Sequence, residues 1–410
     1  MPVKAKKSPV EDRPAGPPRD RGPKDGPRDD GRGGREGDLP ARPPSGGPWT
    51  RAGANTRTVM VGPVAVGGGA PVVVQTMTNT DTRDVAATLA QIEAVRLRGA
   101  ELVRVAVPDA RAARALFDIA PQSGLPVVAD IHFDHRLALL AVEAGAAGLR
   151  LNPGNIGDPV KIRKVALAAA KAGAAVRVGV NSGSLDPAML AKYGRGPGAM
   201  VASALREAAL IEETGHANLK VSLKASDVGL TAAAARLWSQ YSDIPQHLGI
   251  TESGDSRSGS VRSAVGLGIL LNEGLGDTVR VSLTGPPEDE VDCAWEILRS
   301  LELRSRGPNF ISCPTCGRCE IDLPSLLADV KSRLADLAVP LTVAVMGCVV
   351  NGPGEAAAAD LGVAGGRGGG RLFVRGSRPR ALPYGELAAA LESAARKMAE
   401  EREAAGAAKG

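Results

Sequence analysis

Two groups of residues in this chain have the type and spacing to do chemistry. Cys313-Pro314-Thr315-Cys316 sets two thiols three residues apart, and Met346-Gly347-Cys348 brings a third 32 residues after Cys316. Glu355 follows Cys348 by seven residues, across the turn Asn351-Gly352-Pro353-Gly354. With Cys319, four of the five cysteines lie in a 36-residue window, and thiolates grouped in this way hold a metal. A zinc ribbon wants a second CxxC or a His pair after Cys348, and neither is there. A radical enzyme of the S-adenosylmethionine type would carry CxxxCxxC, which is absent from the chain. A redox dithiol uses Cys313 and Cys316 but leaves Cys348 unexplained. An iron–sulfur cluster accounts for three cysteines on two loops, its last iron being held by another group, with Cys319 as a fourth ligand or a bystander. Cys293 lies in an amphipathic stretch and reads as a small buried hydrophobe.

The second group is basic. Arg150 and Asn152, then Arg177, Gly179 and Asn181, then Lys220, Ser222 and Lys224, then Arg280 and Ser282, each stand two apart in an apolar run, with Arg104 and His247 in comparable places. A period of two puts each set on one face of a strand. Several cations inside one domain cost on the order of several kcal/mol each unless anions pair with them. Asp130 and Glu252 are the internal acids at hand and are too few, so the expected occupant is a polyanion, most simply a diphosphate. The turn holding Asn79-Thr80-Asp81-Thr82-Arg83 and the Gly/Asn turns after Asn152 and Asn181 lead into helices, where backbone N–H groups receive phosphate. Glu252, closing His247-Leu248-Gly249-Ile250-Thr251, is a candidate general acid.

Elements that would position these groups follow from the alternation. Eight apolar runs occur in succession: Val72–Met77, Leu102–Val107, Pro126–Ile131, Gly148–Asn152, Ala175–Val180, Leu219–Ala225, Gln246–Thr251 and Thr278–Thr284. Helical spacing lies between them, as in Val85–Arg98, Arg136–Ala146, Val160–Ala172, Ala199–Glu213, Thr231–Tyr241, Arg262–Glu273 and Glu288–Leu301. Strand and helix alternating eight times predict a (β/α)8 TIM-type barrel over residues 55–304. No GxGxxG opens the first helix, which argues against a doubly wound sheet. A smaller α/β domain carrying the cysteines follows over 305–410, with a helix at Pro324–Leu337, strands at Leu341–Val345 and Arg371–Val374, and a closing helix at Gly385–Ala399. Residues 1–54, rich in Pro, Gly, Arg and Asp, are predicted to be a disordered tail. Only 2% of residues are aromatic, so the core is aliphatic and a nucleic-acid stacking platform is excluded despite the net charge of +5. No apolar run approaches a membrane span and no leader is apparent, so the expectation is a cytoplasmic protein.

The residues named, together with Gln75-Thr76-Met77-Thr78-Asn79-Thr80, Val180-Asn181-Ser182-Gly183-Ser184-Leu185, Lys224-Ala225-Ser226-Asp227, His247–Gly254 and Met346–Glu355, resemble the 4-hydroxy-3-methylbut-2-enyl diphosphate synthases over roughly residues 56–400. The resemblance implies an oxidoreductase of the methylerythritol phosphate route to isoprenoids. Its reaction is the two-electron reductive ring opening and dehydroxylation of 2-C-methyl-D-erythritol 2,4-cyclodiphosphate. It implies a [4Fe-4S] cluster on Cys313, Cys316, Cys348 and Glu355, the carboxylate being the labile ligand. It further implies substrate contacts from the basic strand residues and Arg83, a substrate contact from Asn351, and proton transfer by Glu252. The partners implied are reduced flavodoxin or ferredoxin and a second subunit in a head-to-tail homodimer, with no nucleic acid and no membrane. Cys319 stands where the family reserves no ligand, and the tail has no counterpart in it.

Overall fold

The computed structural model describes residues 55–151, 158–185 and 187–407. The predicted disordered tail and Asn152 lie outside the described residues.

An antiparallel hairpin comes first, β1 (Val59–Val61) and β2 (Val64–Val66). Then come eight parallel strands: β3 (Val73–Met77), β4 (Leu102–Ala106), β5 (Val127–Ile131), β6 (Gly148–Leu151), β7 (Ala175–Asn181), β8 (Leu219–Lys224), β9 (His247–Leu248) and β10 (Thr278–Val279). Their order, β8-β7-β6-β5-β4-β3-β10-β9, returns to its start through a parallel bridge between Val221 and Gln246, so the sheet closes into the expected barrel. The hairpin plugs the amino-terminal end, where Val59, Val61 and Val66 pack on Val73, Leu102, Val128 and Ala175.

Outer strand positions such as Val103, Val105, Val176 and Val178 are fully buried against the helices. Helices α1 (Val85–Arg98), α2 (Ala110–Gln122), α3 (His135–Glu143), α4 (Pro159–Ala172), α5 (Pro187–Tyr193), α6 (Pro197–Glu212), α7 (Val228–Tyr241), α8 (Ser256–Asn272) and α9 (Pro287–Ser300) follow the barrel strands, and six of them begin where a carboxylate caps them. Asp84, Asp109, Asp134, Asp158, Asp227 and Asp255 each accept a backbone N–H in the first turn of the helix that follows. These acids serve backbone amides and leave the inner cations to other partners.

The second domain is a five-stranded sheet in sequence order, β11 (Pro308–Ser312), β12 (Leu341–Met346), β13 (Leu361–Gly366), β14 (Gly369–Val374) and β15 (Arg380–Pro383). Helices α10 (Leu323–Arg333) and α12 (Leu387–Ala407) cover one face, and the short α11 (Gly352–Ala358) lies on the other. The helix predicted at Pro324–Leu337 ends at Arg333, and β11, β13 and β15 add to the two strands predicted.

The junction between the domains is firmly anchored. Arg304 forms a two-pronged bond with Glu101 at 2.7 and 2.9 Å, donates to the Val72 carbonyl at 2.6 Å and lies over the Trp295 ring at 4.7 Å. Arg306 donates to the Leu97 carbonyl at 2.9 Å. Leu97, Glu101 and Val72 all precede barrel strands, so the second domain hangs from the amino-terminal end of its own barrel.

Candidate functional site

Strand register gathers the basic residues inside the barrel. Asp130, Arg150, Arg177 and Lys220 are aligned on four adjacent strands, with Gly179 beside Ser222 and Asn181 beside Lys224. Arg150, Arg177, Lys220, Lys224 and His247 are buried, and Asn181 is half-buried at its strand's end. Gly179 is required by packing, since a Cβ there would come within 2.9 Å of the Arg150 Nε. The same holds at Gly249, where a Cβ would lie 2.7 Å from the Arg280 carbonyl oxygen.

Two acids meet part of this charge. Asp130 accepts from Arg150 at 3.2 Å and lies 3.7 Å from Arg104. Burial pushes its carboxyl up, but the hydrogen bond with His132 and the charges of Arg104 and Arg150 outweigh that and hold it well below the usual carboxylate range. Glu290, buried near the start of α9 (Pro287–Ser300), accepts from Arg280 at 2.9 Å, from Thr76 at 2.8 Å and from the Leu283 N–H at 3.1 Å. Arg280 also donates to Ser282 at 2.7 Å.

Among the described residues, Arg177 and His247 are left short of partners. Arg177 reaches only Ser222, at 3.3 Å, leaving its Nε and one Nη without a partner. Both ring nitrogens of His247 lack one too. Burial and then the neighbouring cations drive Arg177, Lys224 and His247 well below their ordinary pKa values, bring Lys220 down to about 7, and take Arg104 to about 10 despite Asp130. A buried site with spare donors and excess positive charge is built for a polyanion.

Not every expected residue joins it. Arg83 is bound by Asp81 at 2.8 Å and by Asp109 at 3.3 Å on the loop after β3. Its charge is therefore spent at the rim, and the structure does not bring it into the cluster. Glu252 is exposed after β9 with φ +54°, a left-handed conformation costly for a residue with a side chain and common where function holds a residue in place. Three participants escaped the sequence reading: Glu290, His132, which lies 2.9 Å from the Arg150 guanidinium, and Met77, whose sulfur accepts from Arg104 at 2.8 Å.

The cysteines emerge where parallel strands end. β11 and β12 pair in parallel, with Ser312 opposite Val345, so Cys313 and Cys348 leave the same edge of the sheet side by side. The Gly347 N–H points at the Cys313 sulfur, 3.4 Å away. Cys348 is buried, and the N–H groups of Asn351 and Val350, with help from Arg318, lower its thiol pKa, which suits a metal-binding thiolate. Cys316 is exposed, as are Asn351 and Glu355 at the first turn of α11. Cys319 turns inward, its thiol bonding the Ile321 carbonyl at 3.3 Å and lying where a Cβ on Gly347 would meet it at 2.5 Å. Among the described residues no three Cys, His, Asp or Glu side chains already surround one point. The donor set nonetheless fits an iron–sulfur cluster: one loop carries two thiols, and a second carries a stabilised thiolate and a carboxylate.

Residues 56–295 match the GcpE TIM-barrel domain, and residues 309–397 match the GcpE protein C-terminal domain. A Geobacter sulfurreducens protein named 4-hydroxy-3-methylbut-2-en-1-yl diphosphate synthase (flavodoxin) is 55% identical over 350 residues, 85% of this chain and 99% of that one. Proteins of the same name from Maridesulfovibrio salexigens and Salinispora arenicola are 57% and 49% identical, covering 78% and 88% of this chain and 90% and 93% of theirs. Among the described residues no helix is long and apolar enough to cross a membrane.

Proposed function

The chain belongs to the GcpE family, and on that premise we propose that it is a 4-hydroxy-3-methylbut-2-en-1-yl diphosphate synthase. It opens the ring of 2-C-methyl-D-erythritol 2,4-cyclodiphosphate and removes one hydroxyl as water, taking up two electrons and two protons to give (E)-4-hydroxy-3-methylbut-2-enyl diphosphate. The observation that carries this reading is the largely buried, partly unpaired cluster of Arg150, Arg177, Lys220, Lys224 and His247 with half-buried Arg104 and Arg280, and Ser282 beside it. Those groups hold the diphosphate; Asp130 and Glu290 aim the guanidiniums at it without cancelling the excess charge. Asn181, at its strand's end, and Asn152 contact the carbon skeleton. Glu252, on its strained turn at the mouth, supplies the proton that lets the hydroxyl depart as water.

Cys313, Cys316, Cys348 and Glu355 would hold a [4Fe-4S] cluster, which supplies electrons one at a time from reduced flavodoxin, or from ferredoxin. Glu355 is the weakest of the four donors, and Asn351 beside it faces the substrate.

The junction supports a homodimer as the active unit. The second domain hangs from the amino-terminal end of its barrel, whereas barrel chemistry lies at the carboxyl ends of the strands. Those ends are about 15–20 Å apart along a five-residue strand. A head-to-tail pair closes this gap, each barrel receiving its partner's cysteine loops.

Activity is tested with anaerobically purified, iron-loaded protein, reduced flavodoxin and the cyclodiphosphate, following product by phosphorus NMR. One linear diphosphate per two electrons is expected; unchanged substrate with full iron loading overturns the reading. The dimer is tested by mixing Cys348→Ser with Arg177→Ala at a cyclodiphosphate concentration too low for Arg177→Ala alone to turn over. Random exchange restores about a quarter of wild-type activity if sites are shared between subunits, and none if each chain is self-sufficient.

A further inference from the structure

Beside the cation cluster, at the carboxyl ends of β3, β4 and β5, lies a cavity of about 330 Å³. Its walls are mainly carbon, from Met77, Val107, Pro108, Phe133 and Leu137. Its inner edge is the cation site itself: Asp130 and His132, which hold Arg150, and Met77, which receives Arg104. An anion on Arg104 and Arg150 and an apolar chain in this cavity would therefore be neighbours.

Phe133 is one of only four phenylalanines in the chain and is left 73% exposed at this cavity's rim. The proposed substrate is a hydroxylated ring that gains little from carbon walls, and the proposed product offers only five carbons. At roughly 30 Å³ for each water in the liquid, the cavity has room for about ten heavy atoms.

We infer that this cavity takes the hydrocarbon chain of a prenyl diphosphate longer than the product, its diphosphate lying on Arg104 and Arg150. The inference rests on the diphosphate reading of the barrel and adds an apolar subsite to it. Condensation of two five-carbon diphosphates gives a ten-carbon allylic diphosphate, so the subsite makes the enzyme answer to the output of the reactions that consume its product. Such a ligand competes with the cyclodiphosphate for the same cations and therefore inhibits.

The test uses iron-loaded enzyme and compares inorganic diphosphate, dimethylallyl diphosphate and geranyl diphosphate as inhibitors of cyclodiphosphate turnover. Geranyl diphosphate is expected to be competitive, with an inhibition constant at least about tenfold below that of dimethylallyl diphosphate, since each fully buried methylene is worth about fourfold. Phe133→Ser should shrink that ratio by a larger factor than it changes KM for the cyclodiphosphate. Leu137→Gln provides a second lesion in the same wall. Calorimetry adds a readout that needs no turnover: a more negative heat-capacity change for the longer chain. Equal affinity for the five- and ten-carbon diphosphates, or a ratio that both variants leave intact, overturns the inference. Enzyme that fails to turn over the cyclodiphosphate but still binds the longer chain tighter removes the proposed reaction and keeps the subsite.

Discussion

The barrel interior and the cysteine loops are built by opposite strategies. In the barrel, strand register fixes every cation before any ligand arrives, and the cost stays visible as buried polar atoms with nothing to bond among the described residues: the Arg177 Nε and one Nη and both nitrogens of His247. In the second domain the donors range from buried Cys348 to exposed Cys316, and among the described residues no three of them yet surround one point. An anion site can be assembled by the fold alone, because cations held on a closed sheet have nowhere to relax. A site of thiolates need not be, because the metal itself supplies the free energy that draws its ligands together.

That contrast predicts different responses to loss of one residue. In the cysteine loops, Cys348→Ser should remove nearly all iron and at least about a thousandfold of turnover, because three donors on two loops no longer complete a cluster. Iron content and the visible absorption band measure this. A variant retaining both would mean that Cys348 is not a ligand. In the barrel, the fold survives and only affinity suffers. Arg177→Ala removes a charge-assisted contact worth about 1.5–3 kcal/mol, so KM for the cyclodiphosphate should rise roughly 10- to 150-fold with iron content unchanged. Unchanged KM would place the diphosphate elsewhere.

A smaller effect exposes the cost of preassembly. Lys220 is held at about 7, chiefly by burial and then by Arg177, against an ordinary lysine value of 10.5. Between those two values the unfolded chain binds more protons than the folded one, so stability contributed by this group rises as pH rises through the window. Below pH 7 the lysine is charged in both states and the burial penalty is complete. Lys220→Met should therefore raise the melting temperature more at pH 7 than at pH 9, and saturating diphosphate should reduce that difference. The same gain at both pH values would mean that the lysine is already compensated in the folded state.

The same contrast governs what could be read from the sequence. Period-two polarity in strands such as Lys220-Val221-Ser222-Leu223-Lys224 exposes the barrel's inner face directly, because alternation is a property of the strand. Glu290 was invisible: it reaches the interior from a helix, and its contacts with Thr76 and Arg280 depend on how that helix packs. Arg83 sits apart from the cluster for a local reason, since Asp81 two residues earlier pairs with it. The last two barrel strands were expected at six and seven residues but form ladders only at His247–Leu248 and Thr278–Val279. Apolar pattern marks a buried strand; it does not show where the neighbouring backbone stays within bonding distance. Cys313 and Cys348 were legible as a pair of loops, whereas their emergence from one sheet edge required the pairing of β11 with β12.

Cys319 gives the finest test of the comparison, because by spacing alone it belongs with the thiols and by packing it belongs with the core. Its sulfur bonds a backbone carbonyl and fills the space above Gly347, on the strand-to-loop turn that delivers Cys348. Glu355, by contrast, is exposed on the first turn of α11, free to meet an iron and to leave it. Cys319→Ser should therefore keep iron content and turnover near wild type, while Glu355→Ala loses turnover. The packing role has its own signature: Gly347→Ala forces a Cβ against the Cys319 sulfur and should cost about 1–3 kcal/mol in unfolding free energy. Cys319→Ala in that background should recover most of the loss, as only residues sharing one space are coupled in this way. If Cys319→Ser instead empties the iron site, the fourth ligand is a thiolate from the core-facing side, and the labile carboxylate at Glu355 has no part in holding the cluster.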